Sequence, residues 1–145
     1  MAGTDHSAQT GFALARYGIT GTLDVTFGTG GLVTTTLPVG SLWGEAVALQ
    51  PDGKIIVAGY GGEGSTATFN YVLARYDSNG MLDTGFGSQG MVTTTIGTDD
   101  RCYAVAVQPD GKIVVGGSGQ VVTEATPTAA STPLSHRRYL PVILK

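Results

Sequence analysis

The feature that most constrains the fold of this chain is an internal repeat. Residues 46–59 read AVALQPDGKIIVAG, and residues 104–117 read AVAVQPDGKIVVGG. Other blocks return in the same order at nearly the same spacing: LARY at 14–17 and 73–76, LD at 23–24 and 82–83, and VTTT at 33–36 and 92–95. Matching order and spacing indicate that the chain contains two copies of one structural unit.

Each unit contains short segments with the length and residue content of β-strands. Aromatic and aliphatic runs lie at 12–17 and 71–76. The segments 32–37 and 91–96 also read as strands, and in the first of them Val33, Thr35 and Leu37 lie on one face. Residues 55–58 are expected to pair with residues 46–49. No segment has the 3.6-residue apolar period of an amphipathic helix. The pattern therefore predicts two four-stranded antiparallel sheets with little helix.

The segment 46–49 is apolar on both of its faces. Val47 and Leu49 lie on one face, and Ala46 and Ala48 on the other. This pattern is typical of a strand that is buried on both sides. We expect a neighbouring sheet to approach closely over the alanines.

The duplicated Gln-Pro-Asp-Gly-Lys segment is interpreted as a hairpin turn. Proline presets φ at the second position of a turn, aspartate tolerates the third, and glycine takes the positive φ that closes it. Turn chemistry therefore accounts for the carboxylates without a ligand or a catalytic role. The predicted structural turn residues are Pro51, Asp52 and Gly53, then Pro109, Asp110 and Gly111.

A second duplicated motif, Leu-Asp-x-x-Phe-Gly, occupies residues 23–28 and 82–87. An aspartate side chain can bond an amide two residues further on. We expect Leu and Phe to close the end of the sheet and Gly to turn the chain.

Clusters of residues that would indicate catalysis or ligand binding are missing from the two units. His6 and His136 both lie in terminal segments, and the nucleophile-elbow, phosphate-loop and zinc-protease motifs are absent. Cys102 is the single cysteine, which excludes an internal disulfide and favours a small buried side chain. Residues 77–83 carry oxygen ligands at alternating positions, but too few carboxylates to favour calcium. The sequence therefore predicts no catalytic, cofactor or metal site, and no enzyme.

Charge and hydropathy exclude further classes of partner. The formal net charge is −3, whereas nucleic-acid-binding modules usually carry a basic patch. No apolar stretch approaches the roughly 20 residues of a membrane-spanning helix. We expect neither a nucleic-acid partner nor a membrane span.

One exposed position is a candidate for surface contact. Residues 99–101, Asp-Asp-Arg, are predicted to form an exposed hairpin tip, and Trp43 occupies the matching tip of the first unit. Trp43 there can stack on a sugar ring or pack between neighbouring sheets, and packing is the favoured interpretation.

The repeated blocks together resemble the delta-60 repeat family of bacteria. The residues that carry the resemblance lie at 12–17, 23–28, 31–35 and 48–59, and again between 71 and 117. The resemblance implies β-propeller-like blades of four strands, usually in long arrays on large secreted or surface proteins, and implies no catalytic residues. Residues 18–21 depart from the usual turn, which residues 77–80 keep.

The resulting fold class is all-β, a partial propeller of two repeats with a disordered C-terminal tail. The chain divides into the end of a preceding repeat or loop, two repeats, a Thr/Ala/Ser/Pro-rich linker and a basic-apolar tail, at residues 1–10, 11–68, 69–119, 120–135 and 136–145. Two blades cannot close a ring. We therefore expect either further repeats of a longer chain or a homo-oligomer in which residues 12–17 of one copy complete the sheet of another.

The function expected from these features is that of a non-catalytic extracellular or cell-surface module. Its role would be structural, adhesive or the binding of a protein or glycan. The alternative is a fragment of a propeller enzyme of the hydrolase type whose active site lies in missing blades. Recurrent acids or a histidine directed at a central axis would favour the enzyme, and neither is recognisable beyond the turn aspartates.

Overall fold

The computed structural model describes residues 10–37, 40–62 and 68–120. The predictions for residues 1–9, for the linker from 121 onward and for the tail at 136–145 lie outside these residues. The described part contains no helix, and all of its strand pairs are antiparallel, which confirms the all-β prediction. The strands are β1 (Phe12–Ala15), β2 (Leu32–Thr35), β3 (Ser41–Leu49), β4 (Ile55–Gly62), β5 (Asn70–Tyr76), β6 (Met91–Thr94), β7 (Thr98–Val107) and β8 (Ile113–Gln120).

The eight strands are divided among the sheets differently from the prediction. They form a first pair, β1–β2, a central sheet with the order β3-β4-β5-β6, and a second pair, β7–β8. The expectation of two four-stranded sheets is therefore wrong. The complete sheet takes its last two strands from the second repeat, because the boundary between sheets falls in the middle of each repeat.

The two inner strands of the central sheet, β4 and β5, are buried on both faces, which explains the continuous apolar run of β4. One face carries Ile55 and Val57 and packs against Phe12 and Phe27 of the first repeat. The other face carries Ile56 and packs against side chains of the second pair. Side chains of a strand point alternately to its two faces, so a strand covered on both sides must be apolar throughout.

Cys102 lies in the second of these two clusters. Its side chain is fully buried and in the free thiol form, as the sequence predicts. Burial raises the pKa of the thiol, which opposes formation of the thiolate.

The segment 46–49 is covered on one face only. Ala46 and Ala48 pair with Ala58 and Ile56, and therefore share the face that β7 covers. The side chains on the opposite face are open to solvent, with Val47 64% and Leu49 71% exposed. The prediction of burial on both sides is wrong for this face, which borders an open groove.

Residues 99–101 also differ from the prediction of an exposed hairpin tip. They lie inside β7, and Asp100 is fully buried. Its Oδ2 accepts hydrogen bonds from the backbone N–H groups of Ile96 (2.7 Å) and Gly97 (3.0 Å). These two hydrogen bonds hold the loop before β7 against the Asp100 side chain, because a buried polar group needs hydrogen-bond partners.

Candidate functional site

The two Gln-Pro-Asp-Gly-Lys segments form hairpin turns in the structure. Gly53 and Gly111 have φ angles of 84° and 85°, in the left-handed region that glycine favours. The backbone N–H of Lys54 donates to Asp52 Oδ1 at 3.1 Å, and that of Lys112 donates to Asp110 Oδ1 at 3.1 Å. Each carboxylate thus stabilises its own turn, which begins at Pro51 or Pro109.

The Leu-Asp-x-x-Phe-Gly motif forms a compact structure with an arginine from the preceding segment, which in the first copy is Arg16, directly after β1. Asp24 Oδ1 accepts the N–H of Thr26, two residues further on, which confirms the interpretation from the sequence. Asp24 Oδ2 lies 2.9 Å from Arg16 Nε, and the guanidinium carbon of Arg16 lies 4.6 Å from the centre of the Phe27 ring. An ionic contact and a cation–π contact of Arg16 therefore connect the end of β1 to the turn that contains Asp24 and Phe27.

The second copy of the motif repeats this geometry. Arg75 Nε lies 2.9 Å from Asp83 Oδ2, and the guanidinium lies 4.5 Å from the Phe86 ring centre. Lys54 Nζ adds a contact with the same carboxylate at 3.1 Å. Lys54 therefore joins the hairpin of the first repeat to the motif of the second.

These contacts lower the pKa of the aspartates. Hydrogen bonding from Lys54 contributes most for Asp83, with smaller contributions from the Gly85 N–H and the charge of Arg75. For Asp24 the largest contribution is the hydrogen bond from the Thr26 hydroxyl. Both carboxylates are bound through their ionised form.

We expect the Asp83 contacts to make the folding stability decrease at low pH. A carboxyl whose folded pKa is depressed adds stability above its unfolded pKa of about 3.9, and that stability is lost as the pH falls through the folded pKa. Asp83→Asn should lower the melting temperature at pH 7 and flatten its decline below about pH 5. Circular dichroism melts at several pH values measure this, and parallel curves for the variant and the wild type would contradict it.

A cluster of aromatic rings lies where the central sheet meets the second pair, and we call it the aromatic patch. The Trp43 and Tyr60 rings stack with centroids 5.4 Å apart, and Phe69 meets both edge-on. Tyr103 of β7 packs edge-on against Tyr60 at 6.2 Å and is 48% exposed. The guanidinium of Arg101 lies 5.0 Å from the Phe69 ring centre and 5.6 Å from that of Tyr60.

The patch combines the guanidinium of Arg101 with the phenol rings of Tyr60 and Tyr103. Arg101 Nε donates to Asp99 Oδ1 at 3.0 Å, and this carboxylate raises the pKa of the guanidinium. Burial, followed by the Glu45 carboxylate, raises the pKa of the Tyr60 phenol. The surface therefore offers ring edges, phenol hydroxyl groups and an arginine that is paired with Asp99.

The repeated fold does not require these rings. Equivalent backbone hydrogen bonds show that the two repeats correspond in structure. The N–H of Leu42 donates to Thr10 O at 3.0 Å, and the N–H of Asp100, the counterpart of Leu42, donates to Phe69 O at 2.8 Å. At the positions equivalent to Trp43, Tyr60, Phe69 and Tyr103 the other repeat has Arg101, Ser118, Thr10 and Glu45. The aromatic residues are thus a feature of the junction between the central sheet and the second pair, and the repeat does not require them.

The sequence pointed to Trp43 but not to the other rings of the patch. Trp43 lies in β3, partly exposed, and packs against Tyr60 and Phe69. Its role as a surface contact stays a prediction. An alignment of the two repeats would have identified these rings, because they occupy positions at which the other repeat has polar residues.

Within the described ranges, no group of three or more His, Cys, Asp or Glu side chains is placed to hold a metal ion. The same part of the chain has no helix that is long and apolar enough to cross a membrane.

Comparison with known families supports the propeller interpretation. Residues 50–86 and 108–129 match a family model described as a domain of unknown function (DUF5122) beta-propeller. The two matched segments begin at the same position of each repeat, the glutamine of the hairpin turn, Gln50 or Gln108. The searches of curated proteins and of solved structures found no match. The chain is therefore an all-β repeat protein that is similar to a β-propeller family.

Proposed function

We propose that this chain is a non-catalytic repeat module of the delta-60 type, displayed outside the cell or on its surface, that binds a protein partner through the aromatic patch. The observation that carries the proposal is the patch itself. Its rings are partly exposed, they lie at one inter-sheet junction, and the equivalent positions of the other repeat are not aromatic.

The composition of the patch favours a protein partner. Trp, Tyr and Arg are the residues most enriched in the energetic centres of protein interfaces. The rings also hold one another in place through stacked and edge-on contacts, so little side-chain freedom remains to be lost on binding. Asp99 and Glu45 supply the polar rim that surrounds such centres.

A glycan partner is less favoured by the same geometry. Sugars stack on an open ring face, whereas Trp43 and Tyr60 each cover one face of the other. Tyr103 remains as the exposed ring of the cluster.

The delta-60 assignment rests on the motifs and on the fold. The FALARY, LD-x-x-FG and QPDGK blocks follow one another twice. The strands form antiparallel sheets stacked face to face, and the matched family is a β-propeller family. Stacked repeats of this kind bury their faces against neighbouring repeats.

The test uses Tyr103→Ala, with Tyr17→Ala as the matched control. Tyr17 is 63% exposed and lies outside the patch, so both variants remove an exposed tyrosine. Proteins cross-linked to the wild-type chain are identified, and the affinity of each purified candidate is then measured for all three chains. We expect Tyr103→Ala to weaken binding about 30-fold or more, as for a residue worth about 2 kcal/mol at an interface centre, and Tyr17→Ala to leave it unchanged.

Equal affinities for the two variants would show that the patch is not the binding site. A glycan array forms the second arm of the experiment. Glycan binding that Tyr103→Ala abolishes, with no protein bound directly, would replace the protein partner by a glycan.

A further inference from the structure

The two outer sheets each expose an edge strand. Within residues 10–37, 40–62 and 68–120, β1 is hydrogen-bonded to β2, and β8 to β7. The backbone N–H of Arg16 donates to Gly31 O, on the β2 side. Since N–H groups alternate in direction along a strand, those of Ala13 and Ala15 point to the free edge of β1. Such edges readily pair with another strand.

The repeat identifies which strand fits each edge. By sequence position, β1 is the counterpart of β5, and β8 is the counterpart of β4. In the central sheet these two counterparts are neighbours, paired from Ile55↔Tyr76 to Gly61↔Asn70. The strand that β1 lacks is therefore one like β8, and the strand that β8 lacks is one like β1. The chain carries both.

The open sheet faces match in the same way. Between the central sheet and the second pair, Val105 and Val115 pack onto the cluster that contains Ile56 and Ala58. The counterparts of the two valines, Val47 and Val57, border an open groove of about 690 Å³ beside β1.

The complementary small-residue face lies on the second pair. Val114 and Gly116 are the counterparts of Ile56 and Ala58, and both are exposed, Val114 by 51%. At one end, the chain thus has a groove bordered by the exposed Val47 and the buried Val57. At its other end, it exposes the kind of face that covers the equivalent valines in the central junction.

We propose that copies of this chain assemble head to tail by strand exchange, with β8 of one copy pairing with β1 of the next. The register of β4 with β5, transferred to this junction, aligns Val115 with Ala15, Gly116 with Leu14 and Gly117 with Ala13 of the next copy. The second pair of one copy then fills the groove of the next, and each junction becomes a four-stranded sheet.

A charge pair supports the same register. Lys54 contacts Asp83 at 3.1 Å across the β4–β5 junction. Their counterparts are Lys112, at the start of β8, and Asp24, which follows β1 in the first repeat. Strand exchange brings Lys112 to Asp24 of the next copy, where opposite charges attract.

The assembly closes when the number of sheets fits a ring. Propellers contain about four to eight blades, and the eight strands of the described residues make up two. Rings of about two to four copies are therefore expected for the 145-residue chain. A heterologous contact of this kind would otherwise continue as a filament.

The first test is the molar mass of the 145-residue chain by light scattering at micromolar concentration. We expect a concentration-stable mass of two to four copies. A folded monomer, shown by circular dichroism and by the monomer mass, would overturn the proposal, and so would a particle held together without the predicted strand pairing.

The second test determines the pairing. Leu14→Cys and Gly116→Cys chains are mixed and oxidised, and a Cβ at Gly116 has open space around it. The control mixes Ala13→Cys with Gly116→Cys, whose side chains point to opposite faces. On a non-reducing gel, we expect the first mixture to yield at least ten times as much covalent dimer as the second. Equal yields, or no dimer from folded variants, would overturn the register and with it the strand exchange.

Discussion

Replacement of Ile56 by alanine is expected to lower the free energy of unfolding by about 2–5 kcal/mol. Ile56 is fully buried in the middle of the central sheet, on the face that packs against the second pair. The substitution removes apolar surface from the core and leaves a cavity, because β-sheet backbones on both sides hold the site open. Chemical denaturation followed by circular dichroism measures the change.

The matched control for this prediction is Ile19→Ala. Ile19 lies in the turn after β1 and is fully exposed, at 108% of its reference area. The same atoms are removed there without a cavity, so the expected change lies within about 0.5 kcal/mol. Similar losses for the two variants would mean that the face of Ile56 is not packed as the structure describes.

The strands of this chain were predictable because they are encoded locally. The runs of β-branched residues at 33–36 and 92–95 and the Pro-Asp-Gly turns each fix a strand or a hairpin through short-range chemistry. The division into sheets was not predictable in the same way. A repeat reads identically from any starting point, so the sequence does not show whether β5 follows β4 in one sheet or begins a new one.

Other differences arise from contacts between distant residues. Asp100 was expected at an exposed tip because aspartate is usually solvated. Its burial depends on the backbone amides of Ile96 and Gly97, which a loop of particular shape turns toward it. Likewise, Tyr60, Phe69 and Tyr103 are far apart in the sequence, and only the pairing of β4 and the position of β7 bring them together.

The proposed binding surface and the proposed assembly use different residues. The aromatic patch lies at the junction inside the chain, whereas strand exchange uses β1, β8 and the groove beside β3. Ser118 stands where the patch has Tyr60, so the new junction between copies would lack the rings. Loss of binding in Tyr103→Ala can therefore be distinguished from loss of assembly by the molar mass.

Replacement of Gly59 by alanine is expected to be strongly destabilising, with a loss of about 3 kcal/mol or more. Gly59 pairs with Gly44 at the bulge of β3 and is buried. A Cβ at this position would lie well inside the van der Waals radius of the backbone carbonyl oxygen of Trp43. Because the obstacle is a hydrogen-bonded strand backbone, relief requires β3 and β4 to separate locally.

Gly116→Ala is the matched control for Gly59→Ala. Gly116 also lies in a strand, nothing lies within 4 Å of its Cβ position, and its counterpart in the other repeat is already an alanine, Ala58. Neither glycine has a positive φ, so the two variants differ in steric environment. Gly116→Ala should raise stability by roughly 0.4–1 kcal/mol through a less flexible unfolded chain. Thermal melts give the melting temperature of both variants. A Gly59→Ala chain as stable as the wild type would mean that β3 and β4 are further apart at the bulge than the structure describes.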